Sequence, residues 1–274
     1  MTWPGRPDPT EPLEPEEDDG SLPADAPGTE WEPGADQEES EFLTGPRSRV
    51  KELIRVSRIA AEFVKGFRAL HFVGPCVTVF GSARFRETHP YYQLARTMGQ
   101  RLAGLGLTVM TGGGPGIMEA ANRGAKEAGG HSIGCNIELP AEQHENLYLD
   151  RFVTFRYFFV RKVMLVKYSV AFVVMPGGFG TLDELFEALT LVQTKKIKLF
   201  PVVLMGVGYW SRLLDFMRST LVRNRTIDLA DAHLLTVTDS PDDAVRAIQE
   251  GVKRYGLLWP KPPKRRKILK EKPL

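Results

Sequence analysis

Short apolar runs alternate with helical patterns from about residue 47 to residue 257, and this alternation constrains the fold more than any other feature. The run "VAFVVM" (170–175) contains no polar residue, and "CVTVF" (76–80) contains a single one. Strands separated by one helix each must pair in parallel, because the helix is the crossover. Continuously apolar strands are typical of a sheet covered on both faces. The sequence therefore predicts a three-layer, Rossmann-like α/β domain with a parallel sheet.

The predicted elements follow from apolar periodicity and from the positions of glycine and proline. The predicted strands are 76–80, 107–110, 131–137, 151–155, 170–175, 199–205 and 234–238. The predicted helices are 46–70, 90–104, 115–128, 157–168, 181–193, 209–223 and 242–255, the last of them capped by Gly256.

The two ends of the chain differ in charge. Residues 1–46 hold fourteen Asp and Glu against one Arg, with nine prolines, which predicts a disordered acidic tail. Residues 259–274 form a basic tail with seven Lys and Arg against one Glu. We expect this tail to be solvated; a weak nucleic-acid contact or pairing with the acidic tail stays open. The folded domain is predicted to span residues 47–258.

Cysteine usage and hydropathy indicate the compartment. The two cysteines, Cys76 and Cys135, lie in apolar strand-like runs, which predicts buried thiols in a reducing compartment. The first residues carry no basic and apolar leader, and no run approaches the ~18 apolar residues of a spanning helix. We therefore expect a soluble, cytoplasmic protein. The five histidines are scattered without ligand spacing, so no metal is expected.

Three glycine-bearing turns follow predicted strands: "GSAR" (81–84), "TGGGPG" (111–116) and "PGGFGT" (176–181). Tight strand-to-helix turns use glycine in any case. Glycine also lets backbone amides at a helix start approach a phosphate, and ligands of parallel sheets bind at the carboxyl ends of the strands. Three such turns on one rim favour phosphate or nucleotide binding.

Two common nucleotide motifs are not present in these turns. Neither long turn ends in Lys-Ser or Lys-Thr, as a P-loop requires. The dinucleotide fingerprint needs a third glycine five residues after the first, but Ile117 follows Gly112 at that spacing and Asp183 follows Gly178. A P-loop NTPase and a classical NAD site are both disfavoured.

Charged residues near the third turn have two interpretations each. "TLDE" (181–184) fits a capping box in which Glu184 reaches back to Thr181. Alternatively Glu184, with Glu187 on the same helix face, holds ribose hydroxyls or polarises water. Arg161 and Lys162 either extend to the surface or, for Arg161, turn inward to bind phosphate with the guanidinium.

The segments "GGGPGIMEAANRGA" (112–125), "RK" (161–162) and "PGGFGTLDE" (176–184), in this order, resemble the LONELY GUY (LOG) family. Members of this family were once widely labelled lysine decarboxylases. The likeness covers roughly residues 70–255. It implies a homodimeric Rossmann-like protein that splits a nucleoside 5′-monophosphate, of the AMP or cytokinin type, into free base and ribose 5-phosphate, with no cofactor. Neither a membrane nor a nucleic acid is an expected partner.

The resemblance also implies the site residues. It assigns the catalytic roles to Arg161 and Glu184. The residues assigned to substrate binding are Gly81, Ser82, Gly113, Gly114, Lys162, Gly177, Gly178, Gly180, Thr181 and Glu187. The chemistry agrees, because a carboxylate stabilises the oxocarbenium-like sugar of glycosidic cleavage or orients the attacking water. Arg161 stays ionised, which predicts an electrostatic role on the phosphate or the departing base.

The sequence departs from the family at three positions. Phe159 stands where the family often has His, Val170 where an acidic residue is common, and Glu119 where Gly is usual. Phe159 would alter base recognition, so the preferred base stays open. An alternative function also stays open, in which the same turns bind a nucleotide or a phosphate-bearing cofactor, such as molybdenum cofactor, without hydrolysis.

Overall fold

A computed structural model of the protein describes residues 42, 43, 45, 48–138 and 145–257. Most of the predicted acidic tail and all of the predicted basic tail lie outside these residues. The strands are β1 (Cys76–Phe80), β2 (Thr108–Thr111), β3 (Ser132–Ile137), β4 (Arg151–Phe155), β5 (Ser169–Val174), β6 (Val202–Met205) and β7 (Leu235–Thr238). The helices are α1 (Arg49–Leu70), α2 (Pro90–Gly104), α3 (Ile117–Glu127), α4 (Phe158–Tyr168), α5 (Phe179–Gln193), α6 (Val207–Phe216), α7 (Leu229–Ala232) and α8 (Pro241–Tyr255).

The seven strands form one sheet in the order β4-β3-β2-β1-β5-β6-β7, and every pairing is parallel. One apolar core lies between the sheet and α1, α4, α5 and α6, and a second lies between the opposite face and α2, α3 and α8. The prediction of a three-layer Rossmann-like fold is confirmed. Both Cys76 and Cys135 are buried free thiols, one in β1 and one in β3.

Proline and glycine account for the main differences between predicted and observed boundaries. The sixth strand begins at Val202 rather than residue 199, because Pro201 has no N–H to donate to a neighbouring strand. The third helix begins at Ile117, since Gly116 has a φ of 67°, which is outside the helical region. A π-helix (Met217–Val222) continues α6, in a segment predicted as plain α-helix.

The strand order places a topological switch point beside β1. The chain builds β2, β3 and β4 on one side of β1 and β5, β6 and β7 on the other. Phe80 at the end of β1 pairs with Val174 at the end of β5, so the turns that follow these two strands are neighbours. In open parallel sheets this position is where a ligand binds.

Candidate active site

The three glycine-bearing turns meet at this switch point, and Ser82 joins them. The Ser82 amide donates a hydrogen bond to Pro176 O (2.9 Å), which ties the turn after β1 to the turn after β5. Ser82 O accepts a hydrogen bond from the Ile117 amide (3.0 Å), which ties the same turn to the start of α3. The convergence expected from the sequence is therefore present in the structure.

Two of the glycines allow the turns to approach this closely. A Cβ at Gly177 would lie 2.2 Å from Thr181 Oγ1 and 2.9 Å from the Ser82 amide nitrogen. A Cβ at Gly116 would lie 2.5 Å from Ser82 O. No side chain fits at either position without displacing backbone. Gly81 is similarly enclosed, by the side chain of Ile117.

Gly178 and Gly180 have a different environment. Both are exposed, and no atom lies within 4 Å of a Cβ built on either. They flank Phe179, whose side chain is 93% exposed, at the start of α5. These two glycines therefore leave the helix start open to the surroundings rather than packed against protein.

The first turn of α5 contradicts the capping-box interpretation of "TLDE". The N-cap is Gly178, not Thr181, and the amides of Thr181 and Leu182 both donate to Gly178 O at 3.0 Å. Thr181 and Glu184 are buried residues inside the helix. The amides of Phe179 and Gly180 have no partner within the helix, as is usual for a first turn. They and the helix dipole favour an anion at this end.

Arg161 and Glu184 face each other beneath the turns. Arg161, in the first turn of α4, has a side chain that is 13% exposed, and its Nη1 lies 3.7 Å from Glu184 Oε1. Its Nε donates to Cys135 O (3.0 Å) at the β3 strand, which fixes the guanidinium. Arg161 therefore turns inward rather than extending to the surface. A Cβ at Gly112 would lie 3.3 Å from its Nη2, so the second glycine turn passes beside the same group.

The Glu184 carboxyl has an unusual environment for an acid. The residue is 3% exposed, and its Oε2 is buried without a hydrogen-bond partner among the described residues. Burial raises the pKa of Glu184 to about 7, although the charges of Arg161 and Lys162 act in the opposite direction. Near neutral pH the group can accept or release a proton, which is the property of a general acid or base.

Lys162 is held by two carboxylates of α5. Its Nζ donates to Asp183 Oδ1 (2.8 Å) and lies 3.1 Å from Glu187 Oε2, an ion pair outside hydrogen-bond geometry. Burial acts to lower the pKa of Lys162, but these two carboxylates outweigh it, and the pKa is raised. Lys162, Asp183 and Glu187 thus form a charged group whose members all act on Glu184. Asp183 was not predicted as a site residue from the sequence.

Two further contacts at the site had no sequence signal. The Tyr209 hydroxyl, from α6, donates to Gly177 O (2.9 Å) and fixes the turn before α5. Asn146 contacts Gly113 and Gly114, both buried in the turn after β2. Neither residue lies in a recognisable motif. Each is also distant along the chain from the turn that it contacts, so the sequence alone does not pair them.

The three departures from the family pattern have separate environments. Phe159 is partly exposed, with its ring 5.5 Å from that of Tyr157. Val170 is buried in β5. Glu119 accepts a hydrogen bond from the Tyr92 hydroxyl (2.8 Å), so its carboxylate connects α3 to α2.

Within residues 48–138 and 145–257 no three His, Cys, Asp or Glu side chains are grouped as metal ligands. No helix within the same residues combines the length and hydrophobicity needed to cross a bilayer.

Comparison with known proteins supports the sequence resemblance. The family described as "possible lysine decarboxylase" matches residues 118–248. A probable cytokinin riboside 5′-monophosphate phosphoribohydrolase, LOGL5 from Oryza sativa subsp. japonica, is 39% identical over 146 residues, or 52% of this chain and 58% of that protein. The phosphoribohydrolase LOG from the same organism is 30% identical over 202 residues, covering 71% of this chain and 81% of LOG.

A solved structure shares the fold. The molybdenum cofactor binding protein from the phototrophic bacterium Rippkaea orientalis superposes with a TM-score of 0.50 at 25% identity, over 65% of this chain and 96% of that one. In this chain the same fold brings together the glycine turns, the inward Arg161 and the buried Glu184 at one site. Given the extent of the alignment with rice LOG, the chain belongs to the LOG family.

Proposed function

We propose that this protein hydrolyses the N-glycosidic bond of a nucleoside 5′-monophosphate and releases the free base and ribose 5-phosphate. The observation that carries the proposal is Glu184, a buried carboxyl with an unpartnered oxygen, 3.7 Å from Arg161 and one turn inside a helix with an open start. Leaving a buried oxygen of an ionisable group unpaired is costly. A substrate hydroxyl or an attacking water would supply the missing partner.

The phosphate would bind at the start of α5. The exposed Gly178 and Gly180 let a phosphate approach the amides of Phe179 and Gly180 without contact with a Cβ. Thr181 lies in the same turn. Binding energy gained at the phosphate, away from the reacting bond, would help to hold the sugar in position for cleavage.

Glu184 would act on the sugar. Cleavage of the glycosidic bond generates positive charge at the anomeric carbon, which a nearby carboxylate stabilises, and the same carboxylate can take a proton from the attacking water. A pKa of about 7 matches this task at neutral pH. Arg161 would act electrostatically, on the phosphate or the departing base, since a guanidinium is a poor proton donor.

The preferred base is not part of this proposal. Rice LOG is named as a cytokinin riboside 5′-monophosphate phosphoribohydrolase, and this chain has Phe159 where the family often has His. AMP is a suitable first substrate because it carries a purine and a 5′-phosphate. A panel of purine and pyrimidine monophosphates would then establish the base preference.

The experiment incubates the purified protein with AMP and measures adenine by chromatography. The wild-type protein is expected to release adenine, and a Glu184→Gln variant is expected to retain nucleotide binding with turnover abolished. Glu250→Gln is the matched control, since Glu250 is an exposed carboxylate on α8, a helix that covers the opposite face of the sheet from α4 and α5. Failure of the wild-type protein to release a base from any monophosphate in the panel contradicts the proposal.

A second candidate is a protein that binds a nucleotide or a phosphate-bearing cofactor without hydrolysing it. The superposition on a molybdenum cofactor binding protein favours it. The open start of α5 suits any phosphate group and does not by itself require catalysis. This candidate predicts that the protein retains its ligand tightly and that Glu184→Gln binds it as well as wild type does. The wild-type and Glu184→Gln proteins therefore distinguish the two hypotheses.

We also propose that the protein forms a homodimer. The helices α1, α4 and α5 cover the same face of the sheet, and each exposes large apolar side chains, among them Leu53, Val163 and Phe186. Exposed apolar residues on adjacent elements are typical of protein interfaces. Light scattering after size-exclusion chromatography should give a mass of two chains for the wild-type protein. The Phe186→Glu variant should have the mass of a single chain. A monomeric wild-type protein would contradict this proposal.

A further inference from the structure

A buried polar cluster lies beneath the glycine turn that follows β2. Its members come from β2, α3, β3 and the segment between β3 and β4: Thr111, Asn122, Ser132 and Asn146. Three of them are completely buried, and Asn146 is 7% exposed. Buried polar side chains of this kind are retained only where their hydrogen bonds are satisfied.

Asn122 is the centre of the cluster. Its Nδ2 donates to Ser132 Oγ (2.7 Å), and its Oδ1 accepts from Thr111 Oγ1 (2.6 Å) and from Asn146 Nδ2 (3.0 Å). These bonds tie the end of β2 and the start of β3 to the segment that contains Asn146. The cluster therefore forms a rigid support on the inner side of the turn.

Asn146 contacts the turn itself through two hydrogen bonds. Its main-chain amide donates to Gly113 O (2.9 Å), and its Nδ2 donates to Gly114 O (3.1 Å). Its Oδ1 accepts from the Tyr148 amide (3.1 Å), which orients the side-chain amide. Both carbonyls of the turn consequently face Asn146.

This arrangement determines the direction of one backbone donor. The described residues contain no cis peptide bonds, and a trans peptide places its carbonyl oxygen and its N–H on opposite sides. Since Gly113 O faces Asn146, the N–H of Gly114 points away from Asn146. The same turn passes Arg161, as the position of Gly112 shows.

We infer that Asn146 is a positioning residue for the reaction: its side chain, bonded to Gly114 O and Asn122 Oδ1, holds its main-chain amide on Gly113 O, so that the Gly114 N–H is presented to an oxygen of the bound nucleotide. This inference rests on the proposed function. Asn146 does not contact the substrate; it acts through the peptide that it orients. Thr111 Oγ1 accepts a hydrogen bond from the Gly113 amide (2.9 Å) and holds the start of the turn, so Asn146 supplies the constraint at Gly114. A run of three glycines needs such constraints, because each glycine has many accessible conformations.

The test replaces Asn146 by Asp, which has nearly the same shape and keeps the acceptor for the Tyr148 amide. The new carboxylate oxygen would face Gly114 O and Asn122 Oδ1, so both Nδ2 bonds are lost. The main-chain bond to Gly113 O needs no particular side chain, so the variant acts by repelling Gly114 O and shifting the segment that carries the residue 146 amide. We expect kcat/KM for AMP to fall by tenfold or more, mainly through KM, because the donor misaligns before the chemical step. Asn224→Asp is the control, since Asn224 is exposed and donates to Thr220 O in the helix after α6.

A second measurement separates positioning from general stability and from the proposed function. Crystal structures of the wild-type and Asn146→Asp proteins are expected to differ in the orientation of the Gly113–Gly114 peptide. The inference is overturned if the Gly113–Gly114 peptide has the same orientation in both proteins, or if Asn146→Asp is active with an unchanged KM. If the wild-type protein releases no base from any nucleotide, the proposed function fails, and the peptide orientation still decides the role of Asn146. If the Asp variant does not fold, Asn146→Ala removes the Nδ2 donor without adding charge and replaces it in both measurements.

Discussion

Burial of the Glu184 carboxyl should make the stability of this protein depend on pH. In the unfolded chain the group has an ordinary pKa of 4.5, and burial raises it to about 7 in the folded protein. A raised carboxyl pKa contributes stability at low pH, where both states are protonated. That contribution is lost as pH rises toward the folded pKa. Glutamine has a similar shape and no charge, so Glu184→Gln removes the dependence.

The magnitude follows from the two pKa values. Their difference is equivalent to about 3 kcal/mol when the carboxylate is fully ionised in both states. The Glu184→Gln variant should therefore be more stable than the wild-type protein by about 3 kcal/mol at pH 8. The gain at pH 5 should be only about 1 kcal/mol, because most folded molecules are then protonated. Urea unfolding of both proteins at the two pH values measures the difference.

A surface carboxylate provides the control. Glu250 is exposed on α8, and Glu250→Gln should change the free energy of unfolding by less than about 0.5 kcal/mol at either pH. Two results would contradict a destabilising buried carboxylate: the same stability difference between Glu184→Gln and wild type at pH 5 and pH 8, or a Glu184→Gln variant that is less stable than wild type at pH 8. Either result would mean that water or a partner solvates the carboxylate in the folded state.

If the Glu184 carboxylate is the reactive form, hydrolysis of AMP should be lost as pH falls through about 7, which a pH–rate profile measures; activity that rises below pH 6 would contradict it. Gly177→Ala should destabilise the fold by about 1–3 kcal/mol, since its Cβ would meet Thr181 and Ser82, whereas Gly178→Ala should fold normally and bind AMP more weakly. Thermal unfolding measures the stability of the two variants, and calorimetric titration measures their affinity for AMP. Equal stability of Gly177→Ala and Gly178→Ala would contradict the prediction. Glu62→Gln should cost about 0.5–2 kcal/mol in urea unfolding, because the Glu62 carboxylate accepts from the Arg156 and Tyr157 amides at the start of α4; no change would show that water replaces it.

The sheet could be predicted from the sequence because its strands are apolar and short and are separated by helices of amphipathic pattern. All seven predicted strands are present, and their ends differ from prediction mainly at Pro201. Local chemistry also predicted the end of α8, where Gly256 adopts the left-handed conformation with a φ of 61°. These features depend on near neighbours in the chain, which sequence patterns record.

The interpretation of "TLDE" as a capping box was wrong for a tertiary reason. Thr181 has the right chemistry for an N-cap, but the turn after β5 is held by Ser82 and Tyr209, so Gly178 is the N-cap and the helix begins at Phe179. Glu184 thereby moves into the buried second turn, where it cannot reach back to an N-cap amide. Contacts from β1 and α6 decided this, and neither is visible in the local sequence.

The parallel sheet, the positions of the glycine turns and the charged residues beside them could all be predicted from local patterns in the sequence. The inward direction of Arg161, the unpartnered oxygen of the buried Glu184 and the contact of Asn146 with the second turn depend on the folded arrangement and could not be predicted. Secondary structure follows from local periodicity. The pKa of a carboxyl and the direction of a backbone donor instead depend on atoms that folding brings from distant parts of the chain.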